Sequence, residues 1–317
     1  MGGHALKKVI TVRKNKSEYN EIKDKVLNLL KSRGIVIDFI PELADKESFG
    51  DLDVLWSSSY NPNIIMRDIV IELFSPKEIV TNAEVLSFDF DNFQIDIIKC
   101  NYIEFAKVYF SYGDFGGLMG KITKKYNMTF GHNGFFLEID NHSLLLTKEP
   151  NEFCKFVAID FEKWLSIKTK EDLFELIKTS RLYKPKFFSS GNHQHRKRIK
   201  NRPLYIEFLN YIGIDEVETI SESDITVDKD KIFNEALNYF HKHEELDSIK
   251  KAVEKAKVIH DKFNGNMLKE MGYDGTQIGT IIKKFKSEHP DFDEWIYSST
   301  NETIIDSLKK IILLNLI

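Results

Sequence analysis

Two periodicities alternate along the first half of the chain. Ile22, Val26, Leu29 and Leu30 recur at helical spacing and give residues 18–32 one apolar face, with Ser17 as the expected cap and Gly34 as the stop. Strand-like runs flank that helix at residues 8–13 and 35–40, the second closed by Pro41. Residues 42–50 read as a charged loop, and Asp51–Trp56 as a strand. Residues 64–73 carry a helical pattern, although their β-branched members leave a strand open. Val85–Phe90 and Phe93–Lys99 read as paired strands around a tight turn at Asp91-Asn92. A helix over 101–109, a glycine-rich segment over 112–121 and a hairpin over 135–147, turning at Asn141-His142, complete this half.

After Pro150 the strand-like runs become rare. Leu173, Phe174 and Ile177 mark one helix; Tyr205, Phe208, Leu209 and Ile212 mark another. A long helical pattern covers 229–262, with a break expected near Leu246. Further helices are expected near 276–286, where Thr276 is the candidate cap, and 301–316. The pattern predicts an α+β fold: a first domain over 1–149 with a mixed or antiparallel sheet flanked by helices, then a mostly helical domain over 150–317.

Composition narrows the class. With 42% hydrophobic and 30% charged residues, the 317-residue chain is too apolar for a disordered one, and its 24 Phe and 12 Tyr can fill a sizeable core. Cys100 and Cys154 lack metal-site spacing and cannot form a dense disulfide framework. A reduced, cytoplasmic setting is expected. No apolar stretch approaches the ~20 residues of a membrane span, and the apolar run 311–317 reads as a packed last turn. The N-terminus lacks a signal-like apolar region, and Gly2 lacks the Ser or Thr of a myristoylation signal.

The candidate chemistry is acidic. Asp51 and Asp53 in Phe49-Gly50-Asp51-Leu52-Asp53-Val54 are one residue apart, so a strand points both carboxylates to one side and Leu52 and Val54 to the other. Asp96 sits between Ile95 and Ile97 in a second strand, where an acid is costly unless it has a partner. Asp89 is the rival third acid, but its place near the turn predicts an exposed hairpin residue. Three clustered carboxylates are what a hard divalent cation, Mg2+ or Mn2+, requires.

These residues resemble the DNA polymerase beta-like nucleotidyltransferase superfamily, nearest to CCA-adding tRNA nucleotidyltransferases and poly(A) polymerases. The likeness rests on Gly50-Asp51-Leu52-Asp53 at a strand start and on the later hydrophobic-Asp96-hydrophobic strand, and covers residues 35–100. It implies that Asp51, Asp53 and Asp96 are catalytic metal ligands. It implies further that a nucleoside triphosphate (ATP, with CTP as a second candidate) is attacked at its alpha-phosphate by an acceptor hydroxyl. Where the superfamily carries Gly-Ser or Gly-Gly, the window 41–50 has Lys46, Ser48 and Gly50. These residues are candidates for the phosphate contacts, with ordinary loop roles equally open.

The acceptor is read from weaker features. Between Lys178 and Ile206 there are nine Lys or Arg and no acid, the run being densest at Arg196, Lys197, Arg198, Lys200 and Arg202. Aromatic residues lie nearby, a combination suited to a phosphate backbone with stacked bases. Residues 207–247 carry twelve acids and three Lys or Arg, so a net charge of -4 is compatible with one basic face. Gly113, Gly116, Gly117 and Gly120 could cradle phosphate or form a flexible turn. His132 and Asn133 lie in a second polar turn. The run around Gly279 looks like the helical tail of CCA-adding enzymes. The expected function is addition of nucleotides to an RNA 3' end, with tRNA the favoured acceptor and no membrane partner. The alternatives are poly(A) synthesis, modification of a protein or small molecule, and RNA binding on a degenerate transferase scaffold.

Overall fold

A computed structural model describes residues 4–189, 197, 199–214 and 226–315. The fold is α+β, with mixed and antiparallel sheets and a helical remainder. It divides into two compact units, 1–242 and 243–317. Residue 149 therefore marks where strands give way to helices inside the first unit rather than its edge. The helix α5 (Pro150–Val157) contributes Phe153, which stacks on Phe130 and meets Phe135 edge-on.

The central sheet has five strands in the order β2 (Ile37–Phe39), β4 (Asp51–Trp56), β7 (Phe93–Lys99), β6 (Val85–Phe90) and β5 (Ile79–Asn82). Only β4 and β7 are parallel; the other pairs are antiparallel. The β6–β7 hairpin turns at Asp91 and Asn92, both with positive φ (51° and 56°), as a two-residue turn of matching twist requires. A second, three-stranded antiparallel sheet holds β8 (Met128–Gly131), β9 (Gly134–Ile139) and β10 (His142–Thr147). Short β1 (Lys14–Asn15) pairs with β3 (Ser48–Phe49).

Alternation gives the central sheet two unlike faces. Leu52, Val54, Phe88, Ile95 and Ile97 are buried against Ile22, Val26 and Leu30 of α1 (Lys16–Ser32) and Val70 and Phe74 of α2 (Met66–Phe74). On the other face Leu55 and Ile98 pack with Ile103 and Ala106 of α3 (Ile103–Phe110). Lys107 of α3 also bonds Asp38 of β2 at 2.7 Å. The remaining part of that face is acidic.

Several expectations change. Residues 8–13 are not a strand; the amides of Lys7, Lys8 and Val9 turn to the Glu78 carboxylate instead. Asn15, not Ser17, caps α1, because Asn15 and Glu18 satisfy each other's main-chain N–H. In the second unit Asp274, rather than Thr276, caps helix Gly275–Glu288 through a capping box with Gln277. The long pattern 229–262 breaks at His241, in the left-handed region, between helices Lys229–Phe240 and His243–Lys262.

The glycine-rich segment is mostly helix α4 (Phe115–Lys124), whose Phe115, Leu118, Met119 and Ile122 are buried at helical spacing. Two of its glycines are packing sites: a Cβ at Gly116 would strike the Tyr109 carbonyl, and one at Gly117 the Arg202 guanidinium and Asp114. Among the described residues no helix is long and apolar enough to cross a membrane. Cys100 and Cys154 are free thiols, both buried.

Candidate metal centre and adjoining cavity

The parallel pairing of β4 with β7 sets Asp53 opposite Asp96 and Asp51 opposite Gln94. Cross-strand partners point the same way, so all four share the acidic face. One carboxylate oxygen from each of Asp51, Asp53 and Asp96 lies within 4.8 Å of the other two, and all three residues are partly buried. The donor set is oxygen only, with no His or Cys. That set fits a hard cation such as Mg2+ or Mn2+ better than zinc.

The electrostatics fit the same ion. Burial, first, raises the Asp53 carboxyl well above the usual range; Asp51, Asp96 and Glu42 add to the rise, and Lys46 opposes it. Burial also raises Asp96, with Asp51 adding to it, while hydrogen bonds from the Ser87 hydroxyl and the Gln94 amide hold it down. Tyr19, packed beneath, has its phenol driven up by burial and then by Glu42, Asp53 and Asp51. Carboxylates this close repel unless a proton or a cation lies between them.

The other candidate residues are dispersed. Lys46 bonds both Glu42 oxygens at 2.8 Å and lies 4.8 Å from the Phe49 ring centre. Ser48 accepts 2.8 Å hydrogen bonds from Arg13 at both its hydroxyl and its carbonyl, which fastens β3 beside β1. Gly50 is the partly buried link between β3 and β4. Asp89 is not an exposed hairpin residue. It is buried and accepts the Glu78 main-chain N–H at 2.7 Å, because it shares the inward face with Ser87.

In the basic run, Lys197 and Lys200 are exposed. Arg202 forms an ion pair with Asp114, and Arg196 and Arg198 lie outside the described residues. Lys178 and Arg181 pair with Glu175 and Glu235. In the second polar turn His132 bonds Glu84 at 2.7 Å, and Asn133 accepts the Asn101 N–H at 2.9 Å.

A cavity of about 430 Å3 opens beside the centre, with Glu42 and Lys46 on its wall. The same two side chains act on Asp53 through their charge. Lys170 and Glu207, bonded at 2.5 Å, and the Arg202–Asp114 pair complete its charged lining with Asp45. Lys46, Lys170 and Arg202 each have a carboxylate partner, so the cavity is polar rather than strongly cationic. Asp114 is 8% exposed, its Oδ2 has no hydrogen-bond partner, and burial lifts its carboxyl to about 6 against the pull of Arg202.

Residue-by-residue reading of the sequence missed Gln94, Ser87, Glu42 and Asp114. Only Gln94 left a signal, at the same-face position two before Asp96. A scan of protein-family models finds none that matches this chain, and a search of curated proteins finds no relative.

Proposed function

We propose that the protein is a divalent-metal-dependent nucleotidyltransferase that transfers a nucleotide from a nucleoside triphosphate to an RNA 3' end. The observation that carries this reading is the three-carboxylate cluster on two adjacent parallel strands. Asp51, Asp53 and Asp96 would hold Mg2+ or Mn2+, which would supply positive charge against the negative charge that develops as pyrophosphate departs.

The protein's own groups do the rest. The acceptor hydroxyl oxygen bonds to the alpha-phosphorus as the bond from that phosphorus to the pyrophosphate oxygen breaks. Asp96, oriented by hydrogen bonds from Ser87 and Gln94, takes the hydroxyl proton at a carboxylate oxygen, a role that its raised carboxyl suits. The cavity beyond Lys46 receives the nucleoside. Its nearly balanced charges favour a neutral ligand bearing donors and acceptors. The exposed Lys197 and Lys200 precede Arg202 and lead acceptor phosphates toward that cavity.

The ion pairs at Lys178, Arg181 and Arg202 favour one second reading, a protein or small-molecule acceptor that needs no long basic surface. The test is incubation with Mg2+, each alpha-phosphate-labelled triphosphate, and total RNA or total protein. Label on the 3' end of RNA is expected. A single added stretch on tRNA and long A-tracts would separate CCA addition from poly(A) synthesis, and label confined to protein or to a small molecule would overturn the RNA assignment.

A further inference from the structure

We propose that Gln94 is a positioning residue for the metal centre, locked by the main chain at Ala5 so that its amide group fixes the Asp96 carboxylate. The proposal rests on the metal-centre reading above. Gln94 is 1% exposed and stands on β7 two residues before Asp96, on the same face. Its Nε2 donates to both Asp96 oxygens at 3.0 Å.

A side-chain amide has a donor end and an acceptor end, and its environment decides which way each points. Here the Ala5 N–H, which can only donate, meets Oε1 at 3.0 Å. That contact leaves the donor end for Asp96. A carboxylate held at both oxygens is restrained from turning, and it keeps other lone pairs for a cation.

The locking segment is itself fastened. Three consecutive amides, at Lys7, Lys8 and Val9, donate to the Glu78 carboxylate at 2.7–3.1 Å. Glu78 in turn donates its N–H to Asp89, on the strand beside Gln94. Leu6 is 8% exposed, and Val12 donates to the Asn92 carbonyl at 2.9 Å. Residues 5–12 are thus tied along one edge of the hairpin that carries Asp96. Buried Asp89 and the amide cradle at Glu78 have no direct place in nucleotidyl transfer, and this chain of contacts accounts for both.

Mn2+ titration followed by electron paramagnetic resonance, with a melting curve of each metal-free protein, tests the proposal. Wild type should bind Mn2+. Gln94→Met keeps the length and loses the donor, and its affinity should fall about tenfold or more. Ala5→Pro leaves the β7 sequence untouched and deletes the N–H that sets the amide while fixing φ at residue 5, so a smaller, few-fold loss with a near-wild-type melting temperature is expected. It also gives the answer if Gln94→Met does not fold. Wild-type Mn2+ affinity in the folded variants would overturn the positioning role and leave the metal centre standing. Absence of Mn2+ binding by wild type would overturn the metal centre, and the proposal with it.

Discussion

Along β4, Leu52 and Val54 are fully buried against α1 and α2, whereas Asp51 and Asp53, one residue away on the same strand, face a cluster of like charges. β7 repeats the division, with Ile95 and Ile97 on one side and Gln94 and Asp96 on the other. One face lowers the free energy of the fold; the other raises it. The apolar face removes large side chains from water and stabilises by about 25 cal/mol per Å2 of apolar area buried. The acidic face gathers carboxylates whose ionised forms disfavour one another. A period of two lets a single strand do both, and the well-packed face holds the strained one in register.

Damage to the packed face should produce the largest effect on stability. Ile95→Ala should destabilise the protein by about 3 kcal/mol, read as a lower midpoint in urea unfolding, because it leaves a cavity in the centre of the sheet. An unchanged midpoint would mean that this face does not carry the fold.

The acidic face should respond with the opposite sign. Asp53→Asn should raise the stability of the metal-free protein at neutral pH. The folded Asp53 carboxyl titrates above its unfolded value. Its contribution to stability is therefore present below the ordinary carboxylate range and is lost as pH rises through the folded value. The gain from the substitution should accordingly grow as the pH rises from acid to neutral, and added Mn2+ should stabilise wild type most at the higher pH. Melting curves across pH, with and without Mn2+, check both signs.

A third substitution sharpens the boundary between packing and site. Gly117→Ala puts a methyl group where the Arg202 guanidinium meets Asp114. A loss of about 1–2 kcal/mol is expected, with a raised KM for the triphosphate because the cavity wall moves. The smallest effect should come from the surface. Lys197→Gln with Lys200→Gln should weaken RNA binding several-fold and lower its salt dependence by about one to two counterions, with stability unchanged.

What could be read from the sequence follows the same division. Asp51–Trp56, Val85–Phe90 and Phe93–Lys99 were legible to the residue, because a strand with one apolar face advertises its period, and the acids then stand out against it. α4 was obscured because four glycines between 113 and 120 suggest a loop, while Phe115, Leu118, Met119 and Ile122 keep helical spacing beneath them. Residues 8–13 look like a strand by composition, yet Glu78, seventy residues away, takes the amides of Lys7, Lys8 and Val9. Partnership at that distance leaves no local signal. The basic run shows the same limit: the charges of Lys178, Arg181 and Arg202 are visible in the sequence, but their ion pairs exist only in three dimensions. Asp51, Asp53 and Asp96 could be listed from the sequence; Gln94, Ser87 and the cavity required the register of β4, β7 and β6.

The central claim is that the three carboxylates support nucleotidyl transfer. Its most direct measurement is Mg2+-dependent incorporation of alpha-labelled nucleotide by wild type and by Asp53→Asn, purified identically and shown to be folded. Wild type should label an acceptor, chelation of the metal should abolish the signal, and Asp53→Asn should lose on the order of 10^3-fold or more in rate, the scale of removing one strong charge-stabilising contact from a transition state. Equal incorporation by the two proteins, or none by wild type with any triphosphate, would contradict the account.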